Sequence, residues 1–130
     1  MKNISVAKVT LGVVIAAALF GAGVMTGANK FGTPSTILHF VTLKWKVDAT
    51  EEQKQAALDG VKNMAAQIPG IRNVWTKTVR VQPRDYSAVF AIEFEDKAAA
   101  DRYASHPAHS AWEKIYLPAR QESRSHQATN

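Results

Sequence analysis

Residues 37–47 read ILHFVTLKWKV, a run rich in β-branched and aromatic side chains. The apolar residues of its second half alternate with polar ones and are Val41, Leu43, Trp45 and Val47. Successive side chains of a β-strand point to opposite faces, so this alternation predicts a strand with one buried face. His39 shares that face by the same period of two. A polar ring placed there needs a hydrogen-bond partner or a cavity.

A helix signal follows the first strand. Thr50-Glu51-Glu52-Gln53 fits the Ser/Thr-x-x-Glu/Gln capping box, and its acids suit a helix N-terminus. Apolar residues then recur at helical spacing, namely Ala56, Ala57, Val61, Met64 and Ala65. The pattern predicts a helix from about Glu51 to Gln67, stopped by Ile68-Pro69-Gly70. A glycine inside a helix costs about 1 kcal/mol relative to alanine, so we expect Gly60 to mark close packing on the sheet.

The remaining elements define the fold class. Residues 71–81 and 86–94 read as strands around a Pro83-Arg84-Asp85 turn, and the second is apolar on both faces, as in a central strand. A helix from Lys97 to about Ser105 and another ended by Pro118 follow, and residues 123–129 read as an edge strand or a frayed tail. This order predicts an α+β, ferredoxin-like split β-α-β unit with an antiparallel sheet and helices on one face.

The open face of such a sheet predicts a partner. Trp45 or Trp75 on that face would leave an apolar patch in water, and patches of this kind usually mark an interface. We therefore expect a homodimer that packs two sheets together, with the three tryptophans in core or dimer contacts.

The composition of the chain excludes several classes of function. The 130 residues fit one domain with a terminal extension, and the chain has no cysteine, which excludes disulfides, thiolate metal sites and thiol nucleophiles. The formal net charge is +5, but residues 1–30 contribute three lysines and no acid, so the rest of the chain is nearly balanced. Without a basic stripe carrying interleaved aromatics, nucleic-acid binding is not expected. Phosphate-binding loops, nucleophile elbows and paired catalytic carboxylates are also missing from the sequence.

The first 28 residues have the pattern of an export segment. Lys2 and Lys8 precede twenty uncharged residues, VTLGVVIAAALFGAGVMTGA at positions 9–28. A positive start, an apolar run and small residues near its end are typical of a cleaved signal peptide, and the run also reaches the ~20 residues of a single transmembrane anchor. In both cases the positive-inside bias places the remainder outside the cytoplasm, so contact with a membrane is expected only through this segment. Residues 29–35 read as a linker.

The candidate site centres on Tyr103-Ala104-Ser105-His106-Pro107-Ala108-His109. Pro107 forbids a regular helix through His106 and favours a fresh helical start directly after it. A helix that ends near Ser105 and restarts near Pro107 would project Tyr103, His106 and His109 from a corner. Side chains at such a corner either form hydrogen bonds with buried polar groups or take part in a reaction.

Several of these motifs together resemble one known family. They are His39-Phe40-Val41 with Lys44, Glu51-Glu52-Gln53, Ile68-Pro69-Gly70-Ile71, Phe94-Glu95-Asp96 and His106-Pro107-Ala108-His109. In this order they resemble the stress-responsive A/B barrel (Dabb) family over residues 36–118, which assigns residues 36–130 to such a domain. The resemblance implies a ferredoxin-like protomer, a dimeric α/β barrel and a cavity between sheet and helices in each subunit. The polar last strand, with Arg124 and His126, departs from the family pattern.

The resemblance also implies a site. A plant cyclase of this family closes a linear polyketide by an intramolecular aldol reaction, and its pattern matches here at His39, Tyr103 and His109. In that reading His109 is the general base, Tyr103 orients or stabilises the enolate oxygen, and His39 forms a second polar wall. Binding of a small hydrophobic molecule in a stress context is the leading expectation. A cyclase-like lyase and a non-catalytic structural or interaction domain are the alternatives.

Two further readings concern the same histidines. In a purely structural reading, His106 caps the helix corner, His109 bonds a backbone carbonyl and Tyr103 leaves its hydroxyl at the surface. Zinc binding by His106 and His109 with His39 is chemically conceivable, but Pro107 constrains the spacing and no acid adjoins the pair in sequence. The sequence therefore predicts neither a metal nor a cofactor.

Overall fold

The computed structural model describes residues 35–129. These residues form four strands and three helices in the order β1 (Ile37–Trp45), α1 (Glu51–Ala65), β2 (Ile71–Trp75), β3 (Ala88–Phe94), α2 (Lys97–Tyr103), α3 (Pro107–Ala119) and β4 (Arg120–Ala128). The predicted export segment and nearly all of the predicted linker lie outside the described residues, so both stay predictions. Among residues 35–129 no helix has the length and apolar character needed to cross a membrane.

The four strands form one antiparallel sheet in the order β2-β3-β1-β4. This is the predicted ferredoxin-like arrangement, with β3 as a central strand between β2 and β1. The sequence predicts an edge strand or a frayed tail over residues 123–129. Residues 123–128 belong to the long edge strand β4, in which Ser125 pairs with Val41, and Thr129 lies just beyond it. Within the described residues, β4 therefore pairs with β1 along nearly its full length, from Leu38 to Trp45.

The boundaries of several strands differ from the prediction, and β3 begins at Ala88 instead of residue 86. β1 ends at Trp45, and Val47 is fully exposed in the following turn rather than part of the buried face. β2 ends at Trp75 instead of continuing to residue 81. Beyond it, the Thr78 hydroxyl accepts from the backbone N–H of Val89 (2.9 Å) and donates to the carbonyl of Val89 (3.1 Å). That side chain replaces the strand pairing that the sequence pattern predicted.

Helix α1 begins where the capping box predicts and packs against α3. Thr50 and Gln53 make both reciprocal cap hydrogen bonds. A Cβ at Gly60 would stand 2.7 Å from Cδ1 of Trp112 in α3, so Gly60 accommodates the indole of α3 rather than the sheet. Overpacking costs about 1–3 kcal/mol, which matches or exceeds the roughly 1 kcal/mol that alanine gains in helix propensity. The close packing therefore explains the glycine.

The two faces of the sheet differ sharply. The helix-side face is filled by buried apolar side chains, of which the largest are Phe90, Phe94, Leu43, Met64, Ile92 and Val61. Trp45 packs on this side, its ring centroid 6.5 Å from that of Tyr116. The opposite face, here called the open face, carries Leu38, Phe40, Trp75, Val89 and Ala91 around a shallow pocket of about 340 Å³. Phe40 and Trp75 remain 37% and 46% exposed there.

Candidate functional site

A cleft of about 270 Å³ lies between α3, the end of α2 and the β1–β4 side of the sheet. We call it the histidine cleft. It is lined by His39, Val41, Phe90, Ala100, Tyr103, Ala104, His109, Trp112, Glu113, Tyr116, Arg120, Ser123, Ser125 and Gln127. The three candidate residues predicted from sequence are all in its wall. His106 is not.

The corner between α2 and α3 has the predicted geometry. α2 ends at Tyr103 and α3 begins at Pro107, with Pro107 in the first turn, where its missing N–H is no loss. The Nδ1 atom of His106 accepts from the backbone N–H of Ala108 at 3.1 Å, so His106 is the helix N-cap. The capping role predicted for His106 in the structural reading is confirmed. The corner directs Tyr103 and His109 into the cleft from two different helices.

The candidate side chains form a contiguous group of rings. The ring centroids of Tyr103 and His109 are 4.6 Å apart, and the two ring planes meet at 76°, close to perpendicular. His39, reaching in from β1, lies 5.7 Å from Tyr103 by the same measure. Phe94 packs against Tyr103, with their ring centroids 5.2 Å apart. Strand β1 and two helices thus bring together residues seventy positions apart in the chain.

The surroundings of both cleft histidines lower their pKa and so favour the neutral imidazole. Burial lowers the pKa of His39 below its usual 6.5, and the proximity of His109 lowers it further. Burial also lowers the pKa of His109, with the nearby Glu113 carboxylate opposing that effect. Burial raises the pKa of the Tyr103 hydroxyl, which keeps it protonated as a donor. A neutral imidazole beside a protonated phenol is a pairing suited to proton abstraction next to a carbonyl.

One part of the structural reading, a hydrogen bond from His109 to a backbone carbonyl, is not supported. Nδ1 of His109 is buried, yet within residues 35–129 it has no hydrogen-bond partner, so no backbone carbonyl satisfies it. Tyr103 as a whole is only 6% exposed and lines the cleft, and its hydroxyl is not among the fully buried atoms without a partner, so a solvent-accessible hydroxyl stays a prediction. The zinc reading has no support either, since the described part of the chain contains no group of three histidines or acids placed to hold a metal ion.

Sequence reasoning missed several cleft residues. Glu113 lies one helical turn after His109, with its Oε2 3.8 Å from Nδ1 of His109. The i, i+4 spacing was a usable signal for that pair. Tyr116 and Arg120 continue the same α3 face, and Ser123, Ser125 and Gln127 enter from β4. The polar last strand therefore lines the cleft through these three residues, whereas the Arg124 and His126 noted from sequence alternate with them.

Comparisons with known proteins agree with this architecture. A family model described as the stress responsive A/B barrel domain matches residues 37–128. Olivetolic acid cyclase of Cannabis sativa is 29% identical over 92 residues, in an alignment covering 62% of this chain and 91% of the cyclase. A Dabb family protein of Mesorhizobium loti with a ferredoxin-like fold is 25% identical, with a TM-score of 0.62 over 73% of this chain and 96% of that one. A dimeric ferredoxin-like protein from Thermobifida fusca is 18% identical, with a TM-score of 0.64 over 78% of this chain and 96% of that one.

The lowered histidine pKa values predict a pH dependence of stability. Above about pH 6.5 these histidines are neutral in the folded and the unfolded chain and contribute no difference. As pH falls below 6.5 the unfolded chain takes up protons first, so the free energy of unfolding should decrease between pH 6.5 and 5, above the usual carboxyl range. Chemical denaturation across this range measures the slope. The slope should flatten when His39→Gln and His109→Gln are combined.

His126→Gln provides the control when all variants are measured at a protein concentration low enough to keep the chain monomeric, because His126 is exposed on β4 outside the cleft and lies opposite Phe40 on the open face. This variant should keep the slope of the unmodified chain. An equal slope in the unmodified chain and the double variant would contradict the assignment of neutral buried imidazoles.

Proposed function

The chain belongs to the stress responsive A/B barrel domain family, and we propose that its histidine cleft binds a small hydrophobic molecule. The observation that carries this proposal is the cleft itself, about 270 Å³ of space beside a packed core. Ligand pockets typically start near 300 Å³ and combine an apolar lining with a few polar groups that fix orientation. Val41, Phe90 and Trp112 supply apolar surface here, and His39, Tyr103 and His109 supply convergent polar groups.

Unsatisfied polar atoms favour an occupant over a purely structural domain. Leaving a buried donor or acceptor unpaired costs about 1–3 kcal/mol, and native proteins contain few such groups. Within the described residues, the buried side-chain nitrogen and oxygen atoms without a partner are His109 Nδ1, Tyr116 Oη and Arg120 Nε. All three residues line the cleft. An occupant of the cleft can supply these atoms with partners, and the family's stress-related description is consistent with ligand binding.

A cyclase-like lyase is the second candidate function. In this proposal His109 removes a proton from the carbon next to a carbonyl of the ligand, and Tyr103 donates a hydrogen bond to the enolate oxygen that forms. The contact between the two rings and the neutral state of His109 support it. The 29% identity with olivetolic acid cyclase, over 91% of that enzyme, supports the same class of reaction.

A homodimer completes the proposal. The open face has an apolar centre at Leu38, Phe40 and Trp75, flanked by a polar rim in which Lys44 pairs with Asp85. Interfaces commonly have this organisation of apolar core and charged rim. The similar Thermobifida fusca protein is described as dimeric. From the charge pattern of residues 1–28 we further propose that this dimer lies outside the cytoplasm.

Native mass spectrometry of the chain purified from its cells tests ligand binding. We expect a small organic mass on the protein, and His109→Ala should lose it because that change removes a wall of the cleft. His106→Ala is the control, because His106 caps α3 from outside the cleft. It should retain the ligand while losing about 1 kcal/mol of stability. A bare protein whose His109→Ala variant only unfolds earlier would leave the histidines structural.

Hydrogen–deuterium exchange tests the second candidate. The unmodified chain should accelerate exchange at the α-carbons of 2-octanone in D₂O, followed by proton NMR. His109→Gln should slow the reaction by about 100-fold or more, since general bases contribute roughly 10²–10⁴-fold. Activity should persist somewhat below pH 6.5 because burial lowers the pKa of His109. Exchange at the buffer rate, or an unaffected His109→Gln variant, would remove this candidate.

Analytical ultracentrifugation tests the dimer. Trp75→Glu places a charge in the apolar centre of the open face, where burial of an unpaired carboxylate is strongly unfavourable, so this variant should be monomeric. Ile115→Glu is the matched control, because Ile115 is similarly exposed at 48% but lies on the helix side. This second variant should remain dimeric. A monomeric unmodified chain, or a dimeric Trp75→Glu variant, would exclude the open face as the interface.

A further inference from the structure

Two of the unpaired polar atoms lie away from the imidazoles. Arg120 Nε and Tyr116 Oη are buried without hydrogen-bond partners in the described part of the chain. The Tyr116 hydroxyl lies beside Ser123 and Arg120, whose proximity opposes the rise in its pKa caused by burial. These atoms form a second polar centre in the histidine cleft, at the end of α3 opposite to His109.

The position of Arg120 between α3 and β4 holds its side chain at the cleft. It is the C-cap of α3 and the first residue of β4, where it pairs with Trp45. Its Nη1 donates to Ser123 Oγ at 2.9 Å, and its guanidinium lies 5.5 Å from the Tyr116 ring centroid. A guanidinium has five N–H donors, and among residues 35–129 no carboxylate comes within 4.0 Å of it. In this part of the chain Nη1 makes only the bond to Ser123, and Nη2, unlike Nε, is not among the buried unpaired atoms, so the two Nη groups retain donors for an acceptor in the cleft.

An aromatic wall connects the two polar centres. Trp112 and Tyr116 stack with ring centroids 4.4 Å apart and planes 11° apart. His109 adjoins Trp112 at one end, with a centroid separation of 5.6 Å, and Arg120 adjoins Tyr116 at the other. The axial rise from His109 to Arg120 is about 16 Å at 1.5 Å per residue. A flat or chain-like apolar group can lie along this wall.

The wall provided by β4 is polar. Ser123, Ser125 and Gln127 line the cleft opposite the aromatic rings. They pair with Leu43, Val41 and His39 of β1, so they follow the cleft from the Arg120 end to the His39 end. One long side of an occupant thus meets aromatic faces, and the other meets hydroxyl and amide groups.

We propose that the histidine cleft binds an amphipathic organic acid whose carboxylate pairs with the Arg120 guanidinium and whose apolar body lies on Trp112 and Tyr116. The guanidinium matches a carboxylate bidentately through two parallel N–H donors. The Tyr116 hydroxyl supplies a further donor to the same group. This inference rests on the proposed ligand binding and defines the class of ligand.

Charge fixes the orientation of the acid. Glu113, the cleft's carboxylate, lies one turn from His109, with Oε2 3.8 Å from Nδ1 of His109. It lies seven residues before Arg120, about 10 Å along the helix axis. Repulsion from Glu113 and attraction to Arg120 therefore place the carboxylate at the Arg120 end. The uncharged end of the ligand then faces His109, Tyr103 and His39.

Isothermal titration calorimetry with 4-butylbenzoate and 4-butylbenzamide tests the inference. The two probes have the same apolar body and differ in charge. The unmodified full chain should bind the benzoate about tenfold to a hundredfold more tightly, the range expected for hydrogen bonds to a charged group. Arg120→Gln should abolish this preference while leaving the affinity for the benzamide unchanged. Arg72→Gln, which changes an exposed arginine on the far edge strand β2, should preserve it.

The outcomes separate this inference from the proposed function. Equal binding of both probes to the unmodified chain, or an undiminished preference in Arg120→Gln, would overturn the role of Arg120 while leaving cleft binding intact. Failure of both probes to bind would overturn both proposals. If Arg120→Gln does not fold, the NMR signal of Arg120 Nε–H in the unmodified chain replaces it. That signal should shift with 4-butylbenzoate and not with 4-butylbenzamide, and equal responses would count against the inference.

Discussion

The contact between the Trp112 indole and helix α1 is the constraint on which the site depends. Nε1 of Trp112 donates to the carbonyl of Ala57 at 2.8 Å, and its ring occupies the space that a Cβ of Gly60 would fill. Removing a buried tryptophan side chain typically costs about 3–5 kcal/mol. This contact fixes the rotation of α3 about its axis. His109, one turn earlier, is thereby directed into the cleft, and the stacked Tyr116 ring continues the wall.

Pro107 provides the second constraint, because it separates two helices that would otherwise continue as one. Because the helix is interrupted at His106, Tyr103 ends one helix and the His109 side chain enters the cleft from the next. Their ring centroids are then 4.6 Å apart although the residues are six positions apart in sequence. In a continuous helix, residues at that spacing lie on different faces and do not contact each other. The helix break caused by Pro107 thus brings Tyr103 and His109 together in the cleft, and His106 caps the second helix outside it.

The sheet separates association from ligand binding. Its helix-side face holds the core and the cleft, and its open face holds the exposed apolar cluster around Phe40 and Trp75. Alternation along β1 sends His39 and Val41 to one side and Phe40 to the other. A partner on the open face therefore covers apolar surface without filling the cleft on the other side of the same strands.

Local patterns in the sequence determined the elements that depend on neighbouring residues: the alternation of β1, the cap at Thr50, the break at Pro107 and the three rings of the candidate site. The order of these elements predicted the ferredoxin-like sheet, and the family motifs linked His39 to the corner. The early end of β2 was beyond prediction, because the Thr78 hydroxyl replaces backbone pairing with Val89. The roles of Arg120 and of the β4 residues that line the cleft could not be predicted from the sequence either. Their position depends on the register of β4 against β1, which joins residues more than eighty positions apart and arises only when the chain has folded.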